Sequence, residues 1–364
     1  MSYYSIFIIL SFFIFLSIHL KSKYEVLLKL YIYIFISIIL ILFSGLRKVG
    51  VGLDDHAYAR EFIEINLKYN FYRDSSVKEP LFFYLNYIVR KISDNPNVLF
   101  IVISAISTTL YNYNWYRYSK YYYISSIIYF SHLFLHTNLT QIRIGISIGI
   151  LLYSIKELYN KKYFKFIIYI IISFLFHTSS IVYILIIVFN KFKLSKYVFL
   201  KLLYISIILY FILPYIFDPY DILLSINLNN DILNFIKLKL SDYRYSYYSK
   251  NLGLLDITNI KNTFILLAAI KYYNLLNYRF KYFNILILVF SIGVFWRIIF
   301  SNYGIIAARI AILFTSTEPL IISYFYHIFK NKYLYILLII LYSFLMLYLN
   351  LNNNVVNQYN CIFL

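Results

Sequence analysis

LTQIRIGISIGI, residues 139–150, sets an arginine inside a run otherwise apolar enough to cross a bilayer. Two further stretches repeat the pattern: SIGVFWRIIF, residues 291–300, carries Arg297, and YGIIAARIAILF, residues 303–314, carries Arg309. A guanidinium keeps its charge, so inside a membrane it must face a partner or a wet cavity, and an ionisable group at that depth marks a functional site by default. Arg143, Arg297 and Arg309 all fall within about one or two helical turns of the same end of their spans. That agreement in depth predicts one cationic chamber near one membrane face, of the kind that holds a phosphate or pyrophosphate.

Working outward, the chain of 364 residues is 62% hydrophobic and only 13% charged, more apolar than a soluble domain of this length requires. A spanning helix needs about 20 apolar residues. Candidates are 2–20, 27–46, 97–116, 121–138, 140–158, 198–217, 258–275, 282–300, 304–328 and 332–350. Residues 79–92 are too short to cross comfortably and fit an interfacial or short tilted helix. Residues 163–190 are too many for one span and too few for two, and both flanks are basic, so a hairpin of two short helices is expected, broken near His177-Thr178-Ser179-Ser180. The expected fold is all-α: one polytopic integral membrane bundle over residues 1–364, with about 10–12 transmembrane or re-entrant helices and two larger outer loops, 47–80 and 218–256.

The net charge of +19 raises the question of nucleic acid. The basic residues instead cluster in short loops between apolar spans, the positive-inside signature, and a nucleic-acid partner is rejected. Loops 21–26, 117–120, 156–165, 191–201, 276–281 and 330–332 are basic and predicted cytoplasmic. Six acids (Asp54, Asp55, Glu61, Glu64, Asp74, Glu79) lie in the first outer loop and five (Asp218, Asp221, Asp231, Asp242, Asp256) in the second, leaving four elsewhere in the chain. This topology puts Arg143, Arg297 and Arg309 near the outer ends of their helices. The single cysteine, Cys361, excludes a disulfide framework and a cysteine metal cluster. The first span has no preceding basic region and no small-residue cleavage site, and reads as a retained helix. The 44 tyrosines rise together with Ile, Lys and Asn, a bias expected from genome base composition, so tyrosines are not read individually as functional.

Chemistry concentrates in a few places. The segment FSGLRKVGVGLDDHAYAREF, residues 43–62, places Arg47 at a membrane exit, then Gly50 and Gly52, where backbone can turn tightly or approach a ligand, then Asp54, Asp55, His56 and Tyr58. Arg47 there can hold an anionic head group and Asp54 a sugar hydroxyl; an ordinary solvated loop is the competing reading. Gly145 and Gly149 give the Arg143 helix a small-residue face for close packing, which would hold Arg143 rigidly; snorkelling to head groups is the alternative. His177 sits at the expected break and can serve as a general base or donate to a phosphate. Glu318, mid-span before Pro319, is about half a turn out of phase with Arg309, so those two are not expected to pair. The histidine pair His132/His136 has no nearby acid, no metal site is persuasive, and no Walker-type glycine loop is present.

Taken in order, Arg47, Gly50, Gly52, Asp54 and Tyr58 after the second span, Glu79-Pro80, QIRIGI with Arg143, FHTSS with His177 and AARIAILF with Arg309 resemble the EpsG-like, Wzy-type polysaccharide polymerases. The resemblance covers roughly residues 40–320. Ile144 departs from the glutamine that many relatives carry at that place, and Glu318 matches no position of the pattern. The resemblance implies a multi-pass protein of the bacterial cytoplasmic membrane. Such proteins join oligosaccharide repeat units carried on undecaprenyl diphosphate at the outer face, with no cofactor and in some cases with a chain-length regulator.

On that reading the sugar–phosphate bond breaks as negative charge builds on the leaving diphosphate, and fixed guanidiniums stabilise it. Arg143 and Arg309 are the first candidates, with Arg47 and Arg297 in support; Gly52, Tyr58 and Glu79 are assigned to substrate binding. Asp54, His177 and Glu79 all remain open as the base. Two other classes compete. A GT-C-type polyprenyl-phosphate-dependent glycosyltransferase would use Asp54-Asp55 as its acidic pair. A lipid-linked oligosaccharide flippase would show repeat-related halves, and only 163–190 looks discontinuous.

Overall fold

The structure is a computed structural model that describes residues 2–19, 25–65, 79–191, 195–216, 218 and 251–363. Asp74, Asp221, Asp231, Asp242 and most of the second predicted outer loop lie outside the described residues. The described chain is a helical membrane protein that forms two compact units, Met1–Ile181 with Pro319–Leu364, and Val182–Glu318.

In the first unit the helices are α1 (Tyr3–His19), α2 (Glu25–Gly45), α3 (Asp55–Glu64), α4 (Pro80–Ile92), α5 (Pro96–Tyr118), α6 (Tyr122–Ile128), α7 (Ile142–Tyr159) and α8 (Tyr163–Phe176). A π-helix, Tyr129–Thr140, continues α6 up to α7. The second unit follows a 3₁₀ turn at Thr178–Ile184 and holds α9 (Leu185–Asn190), α10 (Lys196–Ile216), α11 (Ile257–Lys271), α12 (Tyr273–Arg279), α13 (Phe283–Ile299) and α14 (Gly304–Thr315). The chain returns to the first unit through α15 (Glu318–Phe325) and α16 (Lys332–Asn352).

The helix starts follow ordinary capping chemistry. Asn95 accepts from the Asn97 amide before Pro96 opens α5, Asp256 accepts from Thr258 and Asn259 at α11, and Asn331 accepts from Leu334 at α16. By length and composition, among the described residues two helices, α10 and α16, are long and apolar enough to cross a membrane, and α14 with α15 form a bent pair that passes the same test together. α5 is longer than either, but it spends that length on a buried polar face of Ser104, Ser107, Thr108, Asn112 and Asn114. Large apolar side chains project outward from α1 (Ile8, Phe12), α10 (Tyr204, Phe211) and α16 (Leu337, Leu341), which is the arrangement a lipid solvent requires.

Two sequence expectations are corrected. The stretch 47–80 is not simply a loop: Asp55–Glu64 is helical, with Tyr58 and Phe62 turned inward. The expected span 304–328 is interrupted at Ser316–Thr317, between α14 and α15, just before Pro319.

Small and polar residues bring the helices of the first unit close. A Cβ at Gly145 would overlap the Thr137 carbonyl oxygen of the π-helix, and one at Gly149 would press on Leu110 of α5. Ser147 and Ser173 donate to one another's carbonyls at 2.8 and 3.1 Å, joining α7 to α8. A core of Tyr58, Phe62, Phe82, Val89, Leu99, Phe100, Ile103, Ile142 and Ile146 ties α3, α4, α5 and α7 together. Beside it, the segment after α16 runs antiparallel to the segment after α2 in a single register. Ile362 N–H donates to Leu46 O, Lys48 N–H to Asn360 O and Asn357 N–H to Val51 O, at 3.0, 2.8 and 2.8 Å. In the same register Arg47 faces Cys361 and Gly52 faces Val356. The ends of α2 and α16 therefore meet at one end of this unit.

Candidate functional site

Glu79 organises the site. It precedes α4, and its side chain does not cap that helix. The carboxylate is buried and bridges two other elements. Oε2 accepts from Arg143 Nη1 at 2.9 Å. Oε1 accepts from the Thr178 backbone N–H at 3.2 Å and lies 3.1 Å from His177 Nδ1.

The break in the chain at His177 makes this possible. The His177 N–H closes α8 on Ser173 O, and the residue itself is extended, at φ −154 and ψ 116. Had the helix continued, the Thr178 N–H would have been committed to the carbonyl four residues back. The break releases it toward the carboxylate. Against an ionised carboxylate, which only accepts, Nδ1 would be the donor, and a neutral ring would then carry its acceptor lone pair on Nε2.

Arg143 stands in the first turn of α7, with 34% of its side chain exposed against 6% for Glu79. That difference leaves the pair anchored on the carboxylate side and open on the guanidinium side. Its Cζ lies 5.2 Å from the centroid of the Tyr58 ring and 5.5 Å from that of Phe82. Carboxylate and two ring faces fix the plane of the guanidinium. Burial pushes the Tyr58 phenol up to about 12, against the lowering pull of Arg143, so it keeps its proton near neutral pH.

Arg47 is used differently from Arg143. It is fully buried, and its guanidinium holds Asp55 through Nη2 at 2.8 Å and Nε at 3.1 Å. Nη1 donates to Ser44 O at 2.5 Å, and Phe100 stacks at 4.1 Å. Asp55 also accepts from the Gly52 N–H at 2.7 Å. A Cβ at Gly52 would overlap the Leu139 carbonyl oxygen, so this glycine admits a neighbouring backbone. Asp54 occupies the N-cap of α3, where its carbonyl accepts from Tyr58 N–H at 3.1 Å.

Arg297 and Arg309 belong to the second unit. Arg297, in the last turn of α13, donates through Nη2 to Asp256 Oδ1 at 2.7 Å, the same oxygen that caps α11. Arg309 is half-buried in α14. Glu318 answers Lys261 of α11, with both side chains buried. The sequence places Asp55 only beside Asp54 and Thr178 only at the helix break, and gives Lys261 no part. Lys261 was open to detection, since a lysine inside a predicted span carries the same signal as the arginines. His132 and His136 lie with ring centroids 5.0 Å apart, and Asn350 reaches His132 Nδ1 at 3.1 Å. Among the described residues no three His, Cys, Asp or Glu side chains gather as a metal site.

Comparison with known proteins adds independent weight. The chain is 27% identical over 299 residues to the amylovoran biosynthesis protein AmsC of Erwinia amylovora, covering 78% of this chain and 76% of that one. No solved structure matches. The EpsG family model matches residues 30–363, which takes in α3, the Glu79–Arg143–His177 cluster and the paired segment after α16 alike. With nearly its whole length in that match, the chain belongs to the EpsG family.

Proposed function

We infer that this protein is a glycosyltransferase that joins oligosaccharide repeat units carried on undecaprenyl diphosphate, working at the outer face of a bacterial cytoplasmic membrane to build an exopolysaccharide. The observation that carries this reading is the Glu79 carboxylate held between the Arg143 guanidinium and the His177 imidazole. Membership of the EpsG family and the likeness to an amylovoran biosynthesis protein support the exopolysaccharide class.

The residues have distinct roles in the transfer. An acceptor hydroxyl attacks the anomeric carbon of the donor sugar, and the bond from that carbon to the diphosphate oxygen breaks. His177 Nε2 takes the hydroxyl proton. Glu79, receiving Nδ1–H, orients the ring and stabilises the imidazolium that forms, the part a carboxylate plays behind a histidine base. Arg143 meets the charge growing on the departing diphosphate, and the planar fork suits phosphate oxygens. Tyr58 holds the guanidinium in place. Arg309, in the second unit, is assigned a phosphate contact as well, and Asp54 a contact to sugar hydroxyls. Arg47 and Gly52 support the loop that precedes α3, and Arg297 supports the start of α11. The acidic pair of a GT-C-type enzyme is disfavoured, because Asp55 is consumed by Arg47 and the Gly52 amide.

The deciding experiment reconstitutes the protein with lipid-diphosphate-linked repeat units and follows glycan length. The intact protein yields long chains, while Arg143→Ala yields single units at equal protein abundance. Long chains from Arg143→Ala would remove the proposed role.

A further inference from the structure

The segment after α16 touches both walls of the Arg143 site. On one side, Val355 O accepts from Thr140 Oγ1 at 2.9 Å, and Thr140 lies three residues before Arg143. On the other side, the ribbon pairs residues 356–362 with 46–52. Within residues 46–52 Arg47 and Gly52 both grip Asp55, the first residue of α3, and Tyr58 follows one turn later. The segment is itself well fastened. Asn357 Nδ2 donates to Gly50 O at 2.8 Å, and Tyr359 stacks on Phe43 with centroids 4.1 Å apart while its hydroxyl donates to Phe43 O at 2.8 Å. Tyr3 of α1 donates to Asn357 O at 2.9 Å.

We propose that residues 355–362 are a positioning brace for the site, fixing the Tyr58-bearing helix α3 and the Arg143-bearing helix α7 relative to each other. The proposal rests on the reading of Arg143 as the group that meets the diphosphate. Tyr359 and Asn357 touch no reacting atom; they act through Asp55 and Thr140 on the separation of Tyr58 from Arg143. A shift of about 1 Å in such a group costs up to about 100-fold in rate without touching the chemistry itself.

The test uses full-length protein in lipid nanodiscs with lipid-diphosphate-linked repeat units. Tyr359→Ala removes the stack on Phe43. The expected result is a kcat lower by about tenfold with KM little changed. In a Tyr58→Ala background, where the wall is already gone, the same substitution costs nothing further, because coupled residues are non-additive. Unchanged kcat, or the same loss in both backgrounds, overturns the brace. If Tyr359→Ala does not accumulate, Asn357→Ala serves for the same pair of comparisons, since it removes only the side-chain bond to Gly50.

A second measurement needs no turnover. Amide hydrogen exchange over residues 52–58 and 140–144 accelerates in Tyr359→Ala if the brace is real and stays at the level of the unaltered protein if it is not. Failure of the intact protein to make glycan counts against the polymerase reading alone, and the exchange result then still decides the brace.

Discussion

At the scale of single residues, two arginines with similar sequence surroundings have opposite structural fates. Arg47 and Arg143 each follow a predicted membrane boundary, and each meets a carboxylate. Arg47 is sealed in with Asp55, whereas Arg143 keeps a third of its side chain exposed. Substitution therefore separates them. Arg47→Ala strands the Asp55 charge in the interior, at a cost of about 3–5 kcal/mol, and is read as loss of protein from the membrane. Arg143→Ala leaves the Glu79 carboxylate with the Thr178 N–H and His177, so it costs less abundance than Arg47→Ala and lowers kcat per folded molecule by about 100-fold or more. Arg143→Lys recovers only part, because the ammonium lacks the planar fork.

For the base, His177→Asn lowers kcat by roughly 100-fold or more and abolishes the acid-side fall of the rate profile, where the imidazole is protonated and its lone pair lost. Tyr58, pushed up to about 12, contributes no inflection near neutral pH, so Tyr58→Phe leaves the position of that acid limb unchanged. A profile that moved with Tyr58→Phe would shift the assignment away from His177.

At the scale of elements, the break after α8 and the close approach of α7 to its neighbours hold the site together. Gly145→Val forces the π-helix carbonyl of Thr137 away from α7 and displaces Arg143. It is expected to reduce thermal stability in detergent and turnover together, with Gly145→Ala intermediate. These elements also show what the sequence makes legible. The HTSS break announces itself because four polar residues interrupt an apolar run that has no other reason to contain them. The tight face of α7 is visible in the Gly145–Gly149 spacing. Helix α3 is harder to see, since ten residues rich in charge look like a loop until Tyr58 and Phe62 are known to face inward. Which of Asp54 and Asp55 answers Arg47 depends on where that helix begins, and the sequence does not mark the point. The π-helix leaves no periodic trace either, because its side chains are ordinary and only the carbonyl partners change.

At the scale of the whole molecule, two segments distant in the chain meet in the first unit. The ribbon joins the exits of α2 and α16 directly. That pairing is not legible in the sequence, because it links residues more than 300 positions apart and neither segment alternates in a way that names its partner. The single cysteine offers a test of sidedness. Cys361 is half-buried in the ribbon, and a membrane-impermeant maleimide is expected to label it in spheroplasts. Labelling confined to inside-out vesicles would reverse the topology. In the second unit, Glu318→Ala leaves the Lys261 ammonium buried without its carboxylate, so the protein is expected to lose membrane abundance, while Glu318→Gln retains a hydrogen-bonding oxygen and loses less.

The three-way sharing of Glu79 has a consequence for how a catalytic cycle resets. In the proposed cycle the trio starts with the imidazole neutral, so one cation and one anion cancel across it. When the ring accepts a proton, the trio gains a full positive charge at the moment the departing group gains negative charge. On the proposed mechanism, grip on the spent lipid carrier is then tightest just after transfer and slackens when the proton escapes to solvent. In the proposed cycle carrier release is tied to deprotonation, and a step limited by that exit would slow in heavy water even though the sugar bond had already changed hands.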